Sequence, residues 1–346
     1  MATQIISTGA SPFTPALDDA LDELSAVEEG RVEVEVRLCE VPADMHGWRV
    51  DRVLARLIPE FSRSYLQQLM ADGAVQLRGA VVLKQAARIA AGDRLQVELR
   101  ATQQAMAFVP QAMKLDVVFE DANLLVINKP AGLVVHPAAG NWSGTLLNGL
   151  LAHHAGAACL PRAGIVHRLD KDTSGLMLVG KSRQAVEALV RAIAAREVNR
   201  QYLALGHGRW TGTVEQGVDQ HIGRDIRNRL RMAVVLRDGA SGKPAQTTFR
   251  LLDSGDQACL VACKLHTGRT HQIRVHMAWL GHPLVGDALY GGRTLWGMER
   301  QALHAARLRL VHPTGGQPLD FQSAPPDDFK DALEQSGLRY NEASMG

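Results

Sequence analysis

The chain of 346 residues is 46% hydrophobic and 21% charged, which is ample material for a core and length enough for two domains. No run of 18 apolar residues offers a membrane span. The first residues lack the basic-then-apolar pattern of a secretory signal, so a cytoplasmic protein is expected. The net charge of +2 conceals an asymmetry: residues 1–47 hold ten acids against two bases, a segment of −8, which leaves +10 for the rest of the chain. A basic body rich in arginine points toward a polyanionic partner, because guanidinium groups match phosphate geometry. The four cysteines, Cys39, Cys159, Cys259 and Cys263, include no C-x-x-C pair and are expected as free thiols, not as disulfides or zinc ligands.

Residues 1–33 are acidic, poor in aromatics and carry Ser, Thr, Gly and Pro early, the composition of a disordered extension. A small module is predicted over residues 34–100. Val34 and Val36 alternate with charged residues as a strand. Val50, Val53, Leu54, Leu57 and Ile58 follow the i, i+3, i+4, i+7, i+8 spacing of one helix face, and Pro59 ends that helix. Ser62 or Ser64 can cap a second helix that turns Leu66, Leu69 and Met70 inward. Turns at Asp72-Gly73 and Gly92-Asp93 precede short strands, one with Val75 and Leu77, the other with Leu95, Val97 and Leu99. Arg49, Arg52 and Arg56 share one polar face of the first helix, and Arg63 and Lys84 add charge nearby in sequence. The helix–turn–helix–strand order, the Arg63-Ser64 pair and Asp72-Gly73 before Val75 resemble the small RNA-binding module first described in ribosomal protein S four. The resemblance makes Arg49, Arg52, Arg56 and Arg63 RNA-contacting candidates.

Residues 101–114 have little periodicity and one proline and read as a linker. A second domain is predicted over 115–328, followed by a C-terminal tail over 329–346. Leu115–Phe119 and Leu124–Asn128 read as a hairpin, Thr145–His154 as a short helix, and Gly175–Val179 as a buried strand. Val186, Leu189, Val190 and Ile193 mark an amphipathic helix. Further strands are expected at Tyr202–Leu205, Cys259–Leu265 and Leu303–His312, and a helix at Thr270–Leu280. Strands and helices alternate irregularly and no Gly-rich phosphate loop occurs, which favours an α+β domain with a mixed sheet over a doubly wound nucleotide-binding fold.

The segment Gly164 to Gly175 concentrates polar and charged residues between two apolar runs, more than folding requires there. In an extended stretch Arg168 and Asp170 point one way while His167 and Leu169 point the other. A cation beside Asp170 would keep it ionised even when partly buried. Spacing alone leaves two readings open, a structural loop with an ion pair and a catalytic carboxylate. The run His167-Arg168-Leu169-Asp170, continued to Gly175, resembles the signature of the large-subunit ribosomal RNA pseudouridine synthase family, and within it the D-type pattern. The resemblance covers about residues 40 to 328. It includes Ile127–Pro130, Val135–Pro137, Pro161–His167, Leu265–Met277, His282–Asp287 and Tyr290–Gly292 in one order.

That resemblance implies an α+β catalytic domain with a mixed, largely antiparallel sheet. It implies isomerisation of uridine to pseudouridine by a catalytic aspartate, at Asp170, with a tyrosine near the target base, at Tyr202, and a basic partner of the aspartate, at Arg274. Arg168 is expected to help displace the base, and His167 and Arg269 to contact the substrate. The uracil–ribose bond breaks and re-forms through carbon without redox or group addition, so no cofactor and no metal are expected. Histidines 266, 271 and 276 lack the i, i+4 pair with an intervening Glu of a helical zinc site. The expected partner is a structured RNA, most specifically large-subunit ribosomal RNA or its precursor particle, with no membrane and no obligate protein partner. The alternatives are the same reaction on transfer RNA, or a non-catalytic RNA-binding assembly factor, against which Asp170, Tyr202 and Arg274 all stand. Lys129, at a strand end, is open to either an RNA contact or simple exposure. His266 departs from the family pattern, where an acidic residue is expected before the threonine.

Overall fold

The computed structural model describes residues 35–59, 61, 63–99, 105–138, 140–228, 230–235 and 242–341. The acidic extension expected over 1–33 and the candidate cap Ser62 lie outside them. The chain divides into two compact units, residues 1–109 and 110–346. Among the described residues no helix is long and apolar enough to cross a membrane.

The first unit contains β1 (Glu35–Glu40), α1 (Val50–Leu57), α2 (Arg63–Ala71), β2 (Val75–Leu77), β3 (Ala80–Val81) and β4 (Arg94–Leu99). Its sheet runs in the order β1-β4-β2-β3, and the pairings are antiparallel. The periodic residues of α1 explain the packing: Val50, Val53, Leu54 and Ile58 are fully buried with Leu66, Met70, Val75, Leu95 and Val97. Each such side chain contributes about 1.5–3 kcal/mol by leaving water.

The polar side of α1 is organised differently from the expected common arginine face. Asp51 is fully buried and accepts from Arg49 (3.0 and 3.3 Å), Arg63 (2.7 Å) and Gln67 (2.9 Å). Burial alone would raise its pKa, but these donors outweigh it and hold the carboxyl below its ordinary range. Two of the four candidate RNA-contacting arginines are therefore engaged by Asp51: Arg63, with Gln67, staples α2 to α1, and Arg49 folds back on the start of α1. Arg52 lies 4.0 Å over the Trp48 ring, and Arg52 and Arg56 are exposed.

The second unit is built on a sheet of ten strands. They are β5 (Val117–Glu120), β6 (Leu124–Lys129), β7 (Ser174–Gly180), β8 (Asn199–His207), β9 (Glu215–Arg224), β10 (Met232–Val235), β11 (Lys243–Ser254), β12 (Ala258–Leu265), β13 (Leu303–Val311) and β14 (Pro318–Gln322). The order is β10-β9-β11-β12-β8-β13-β7-β6-β5, with β14 added on β13. β13 and β7 pair in parallel and the other described pairings are antiparallel, the mixed α+β class that the sequence predicts. The helices are α3 (Leu146–His153), α4 (Arg183–Ala194), α5 (Gln272–Trp279) and α6 (Asp327–Ser336). Thr145 caps α3 with a reciprocal bond from Asn148, and Ser182 caps α4.

One row across the sheet positions the site. Gly175 of β7 faces Ala305 of β13, which faces Tyr202 of β8, which faces Cys263 of β12. Gly175 is required at the parallel crossing: its φ is +114°, and a Cβ there would stand 2.3 Å from the Ala305 carbonyl oxygen. β7 is buried along its whole length, so the segment before it is delivered to the sheet at a fixed register.

Two expectations are corrected. Gln111, expected in the linker over 101–114, is docked on the second unit beside Leu115, the expected first residue of the second domain. The Gln111 backbone N–H donates to Asn148, its side chain accepts from Gly144, and Leu115 packs on the core. The expected tail over 329–346 includes most of α6, whose Phe329, Ala332 and Leu333 are buried against β8 and β12 residues. The strands β9, β10 and β11 and the C-terminal β14 were not anticipated from sequence.

Replacing Asp51 by Ala removes acceptors for four hydrogen bonds and opens a small polar cavity. The full-length protein is expected to lose about 2 kcal/mol in the first unit, read as a lower denaturant midpoint for the Trp48 signal, with activity of the second unit retained as folded protein. An unchanged midpoint would mean that the staple is not stabilising.

Candidate active site

Asp170 follows Leu169, which is buried in the core cluster that also holds Tyr202, Cys263, Ala305, Ile273 and Met277. The buried leucine anchors one side of the chain, so Asp170 is turned outward with its side chain 16% exposed, and Arg168 is exposed beside it. The alternation read from the sequence is thus realised for these three residues. His167 is different. Its Nε2 accepts the Leu178 backbone N–H at 2.9 Å, supplying a partner to β7 beyond the short parallel pairing with β13. Burial, reinforced by the Arg200 charge, pushes its pKa down to about 3, so the ring is neutral. One nitrogen of the residue expected to contact substrate is therefore used inside the domain.

Arg274 comes from α5, some hundred residues after Asp170. Its Nη1 donates to Asp170 Oδ2 at 3.1 Å. Its opposite edge, Nε and Nη2, makes a bidentate pair with Asp287 at 2.8 and 2.9 Å. Both Arg274 and Asp287 are buried. Burial opposes the guanidinium charge, but the Asp287 hydrogen bonds and the Asp170 charge outweigh it and raise the arginine pKa. Asp287 therefore fixes the guanidinium plane and leaves one N–H corner for Asp170. Sequence reasoning did not name Asp287 as a site residue, although it closes the quoted His282–Asp287 motif.

α5 is itself held by polar side chains one turn apart. Gln272 donates to Gln246 O and Thr247 Oγ1 and accepts from Thr267 and the Arg269 N–H, and His276 Nδ1 lies 2.9 Å from Thr247 Oγ1. Arg269, expected to touch substrate, donates through Nε to Pro244 O at 3.1 Å. His266 bonds Thr248, and His271 Nδ1 lies 2.8 Å from the Tyr290 hydroxyl. The three histidines are thus engaged separately, and among the described residues no group of three or more His, Cys, Asp or Glu is arranged to hold a metal.

The loop after Asp170 is clamped residue by residue. Lys129 is 1% exposed, and its ammonium donates to Pro130 O, Leu133 O and Lys171 O at 2.7, 2.9 and 2.9 Å. All three donors are used inside the protein, which excludes an RNA contact by this amine. Burial lowers its pKa to about 8, with the Asp172 and Asp170 charges acting the other way, so it is charged at neutral pH. Arg300 donates to Asp172 O and is gripped from behind by Asp328 of α6. Gln301 donates to Thr173 Oγ1, and Ser174 Oγ pairs with His304 Nδ1 at 2.9 Å.

Tyr202 is 5% exposed and feels the Asp170 charge. Burial pushes its phenol up to about 12, so it stays protonated at neutral pH. The site therefore offers one carboxylate oxygen, Oδ2, occupied by Arg274, and a second, Oδ1, that lies 4.0 Å from His271 Nε2, beyond hydrogen-bond distance. It also offers a neutral tyrosine and an exposed arginine.

Residues 123–279 match the model of the family described as RNA pseudouridylate synthase. Together with curated relatives over 40% identical along most of their length, this shows that the chain belongs to the RNA pseudouridylate synthase family. It is an RNA pseudouridine synthase, an isomerase acting on RNA, as the motifs implied. It is 46% identical to ribosomal large subunit pseudouridine synthase D of Neisseria meningitidis serogroup A / serotype 4A, over 84% of this chain and 79% of that protein. It is 45% identical to the protein of the same name from Vibrio parahaemolyticus serotype O3:K6, over 82% and 89%. In fold it is similar to human RNA pseudouridylate synthase domain containing 4, with a TM-score of 0.52 at 24% identity, covering 65% of this chain and 94% of that one.

Asp287→Ala should free the Arg274 guanidinium to leave Asp170. Turnover is expected to fall about 100-fold while RNA affinity stays within about threefold, because a displacement near 1 Å at a catalytic group costs that much. Single-turnover rates beside filter-binding affinities check this; an unchanged rate would remove Asp287 from the positioning of Arg274.

Proposed function

We propose that this enzyme converts uridines in large-subunit ribosomal RNA to pseudouridine, with Asp170 as the catalytic carboxylate acting through Oδ1. The observation that carries the reading is the Asp287–Arg274–Asp170 line, which ties up Oδ2, keeps the carboxylate beside a fixed cation and leaves Oδ1 open. The substrate class rests on the named relatives. In the reaction the uracil N1–C1′ bond breaks and a C5–C1′ bond forms, while C5 loses a proton and N1 gains one. An ionised carboxylate stabilises positive charge developing at the sugar or attacks it directly, and its open oxygen is placed to accept the C5 proton afterwards. Tyr202 serves as a neutral ring and hydroxyl against the base, since a phenol with a pKa near 12 is a poor proton acceptor at neutral pH. The uridine leaves its stack at a cost of roughly a few kcal/mol, and Arg168, exposed beside Asp170, fills the vacated place.

Pseudouridine mapping across cellular RNA in a strain lacking the gene should reveal missing sites in large-subunit ribosomal RNA. Wild type is expected to restore them and Asp170→Ala to restore none. Restoration by Asp170→Ala would sink the catalytic assignment, and losses confined to transfer RNA would sink the substrate assignment. In the first unit, Arg52→Ala with Arg56→Ala should flatten the dependence of log affinity on log salt by roughly 1.5, the loss of about two phosphate contacts. A slope equal to wild type would mean that this exposed face does not meet RNA.

A further inference from the structure

The oxygen left open by Arg274 has a second neighbour. His271 Nε2 stands 4.0 Å from Asp170 Oδ1, about 1 Å beyond hydrogen-bond distance. His271 caps α5 with a left-handed backbone, φ +55°, uncommon for a residue with a side chain though less so for histidine than for most. Behind it, Nδ1 lies 2.8 Å from the Tyr290 hydroxyl, and that hydroxyl accepts the Met232 backbone N–H at 2.9 Å. Two guanidinium groups lie over the Tyr290 ring, Arg274 at 5.0 Å and Arg231 at 5.5 Å, and the ring meets that of His271 edge-on. The phenol is therefore fixed in place and in rotation.

These contacts bear on the histidine tautomer. A tyrosine hydroxyl has one proton, and a neutral imidazole has one donor and one acceptor nitrogen. The Met232 N–H fills one acceptor site on Oη, and Nδ1 lies within reach of the phenol proton. The arrangement in which the phenol donates to Nδ1 leaves the imidazole proton on Nε2, the nitrogen that faces Asp170. We propose that His271 is a positioning residue that donates from Nε2 to Asp170 Oδ1, holding the carboxylate in its reactive rotamer whenever substrate does not occupy that oxygen, and that Tyr290 sets the tautomer that makes it a donor. Oδ1 would otherwise swing freely about the Oδ2–Arg274 contact. The 4.0 Å gap is closed by a small rotation of the Asp170 carboxylate, and it leaves Oδ1 free to move onto the substrate. The Met232 link also ties the first residue of β10 to this oxygen.

The proposal rests on the assignment of Asp170 as the working carboxylate, so Asp170→Ala is measured alongside. Three variants test it on a ribosomal RNA fragment that wild type modifies. His271→Phe keeps a ring without a donor, His271→Gln places an N–H near the Nε2 position, and Tyr290→Phe releases Nδ1. The expected single-turnover rate falls 10- to 100-fold in His271→Phe, recovers to within fivefold of wild type in His271→Gln, and drops about fivefold in Tyr290→Phe, with RNA affinity within twofold throughout. Nitrogen-15 spectra of the intact protein should show His271 protonated at Nε2 in wild type and a mixture of tautomers in Tyr290→Phe. A His271→Phe rate within twofold of wild type overturns the proposal. So does His271→Gln as slow as His271→Phe, the mark of a merely structural role, and so does a wild-type ring protonated at Nδ1. An active Asp170→Ala would instead overturn the carboxylate assignment, which the histidine variants do not address.

Discussion

The buried pair between Asp287 and Arg274 is the constraint on which the site depends. A guanidinium at that depth is stable only when its charge is matched and its donors are met. Asp287 satisfies one edge, and the geometry of the fork then dictates where the remaining corner points. Asp287 is placed by a turn at Gly286, φ +75°, where a Cβ would stand 2.1 Å from the Arg300 carbonyl oxygen. Arg300 repeats the same device. Asp328 grips it from behind and its free corner reaches the Asp172 carbonyl. Two arginines, each oriented by a carboxylate on its far side, thus hold the carboxylate at Asp170 and the backbone two residues beyond it.

The loop between Asp170 and β7 has no strand partner until Ser174, so its polar groups need other partners. Lys129 from the end of β6, Arg300 and Gln301 before β13, and His304 on β13 each take one of its successive residues. A loop bonded in this way loses little further freedom when substrate arrives, and electrostatic stabilisation of a transition state works best from groups already in position. The buried lysine illustrates the cost of that rigidity: burial depresses its pKa, and three carbonyl oxygens keep its ammonium in use.

Local pattern made much of this legible in the sequence. The 3.6-residue spacing of Val50, Val53 and Leu54 predicted α1, and continuous apolar runs predicted β6, β7 and β12, because those segments are buried on the faces that the pattern encodes. β9 and β10 alternate poorly and are half exposed, so periodicity had little to report. The polar run around Asp170 stood out because folding alone does not call for it, and the motif resemblance supplied Tyr202 and Arg274. The roles of Lys129, Asp287, Arg300 and Asp328 were not legible. Each acts on a group in another element or loop, and a charged residue at a strand end or in a helix looks the same whether it faces water or a buried partner. The same blindness affected Arg63 and His167, whose partners Asp51 and the Leu178 N–H become apparent only when the segments meet.

The row Gly175–Ala305–Tyr202–Cys263 has a consequence for how the enzyme comes into being. The contacts that complete the loop join residues 104, 128 and 130 positions apart, and the β13 strand that closes the row is among the last elements of the chain. Such distant pairings must overcome the entropy of closing long loops before any of them is stabilised, which makes this topology slow to fold relative to one built from neighbours. During synthesis the carboxylate segment emerges well before the strand that receives it. A growing chain therefore carries Asp170 before β13, the strand that lies between β7 and β8 in the finished sheet, has been made.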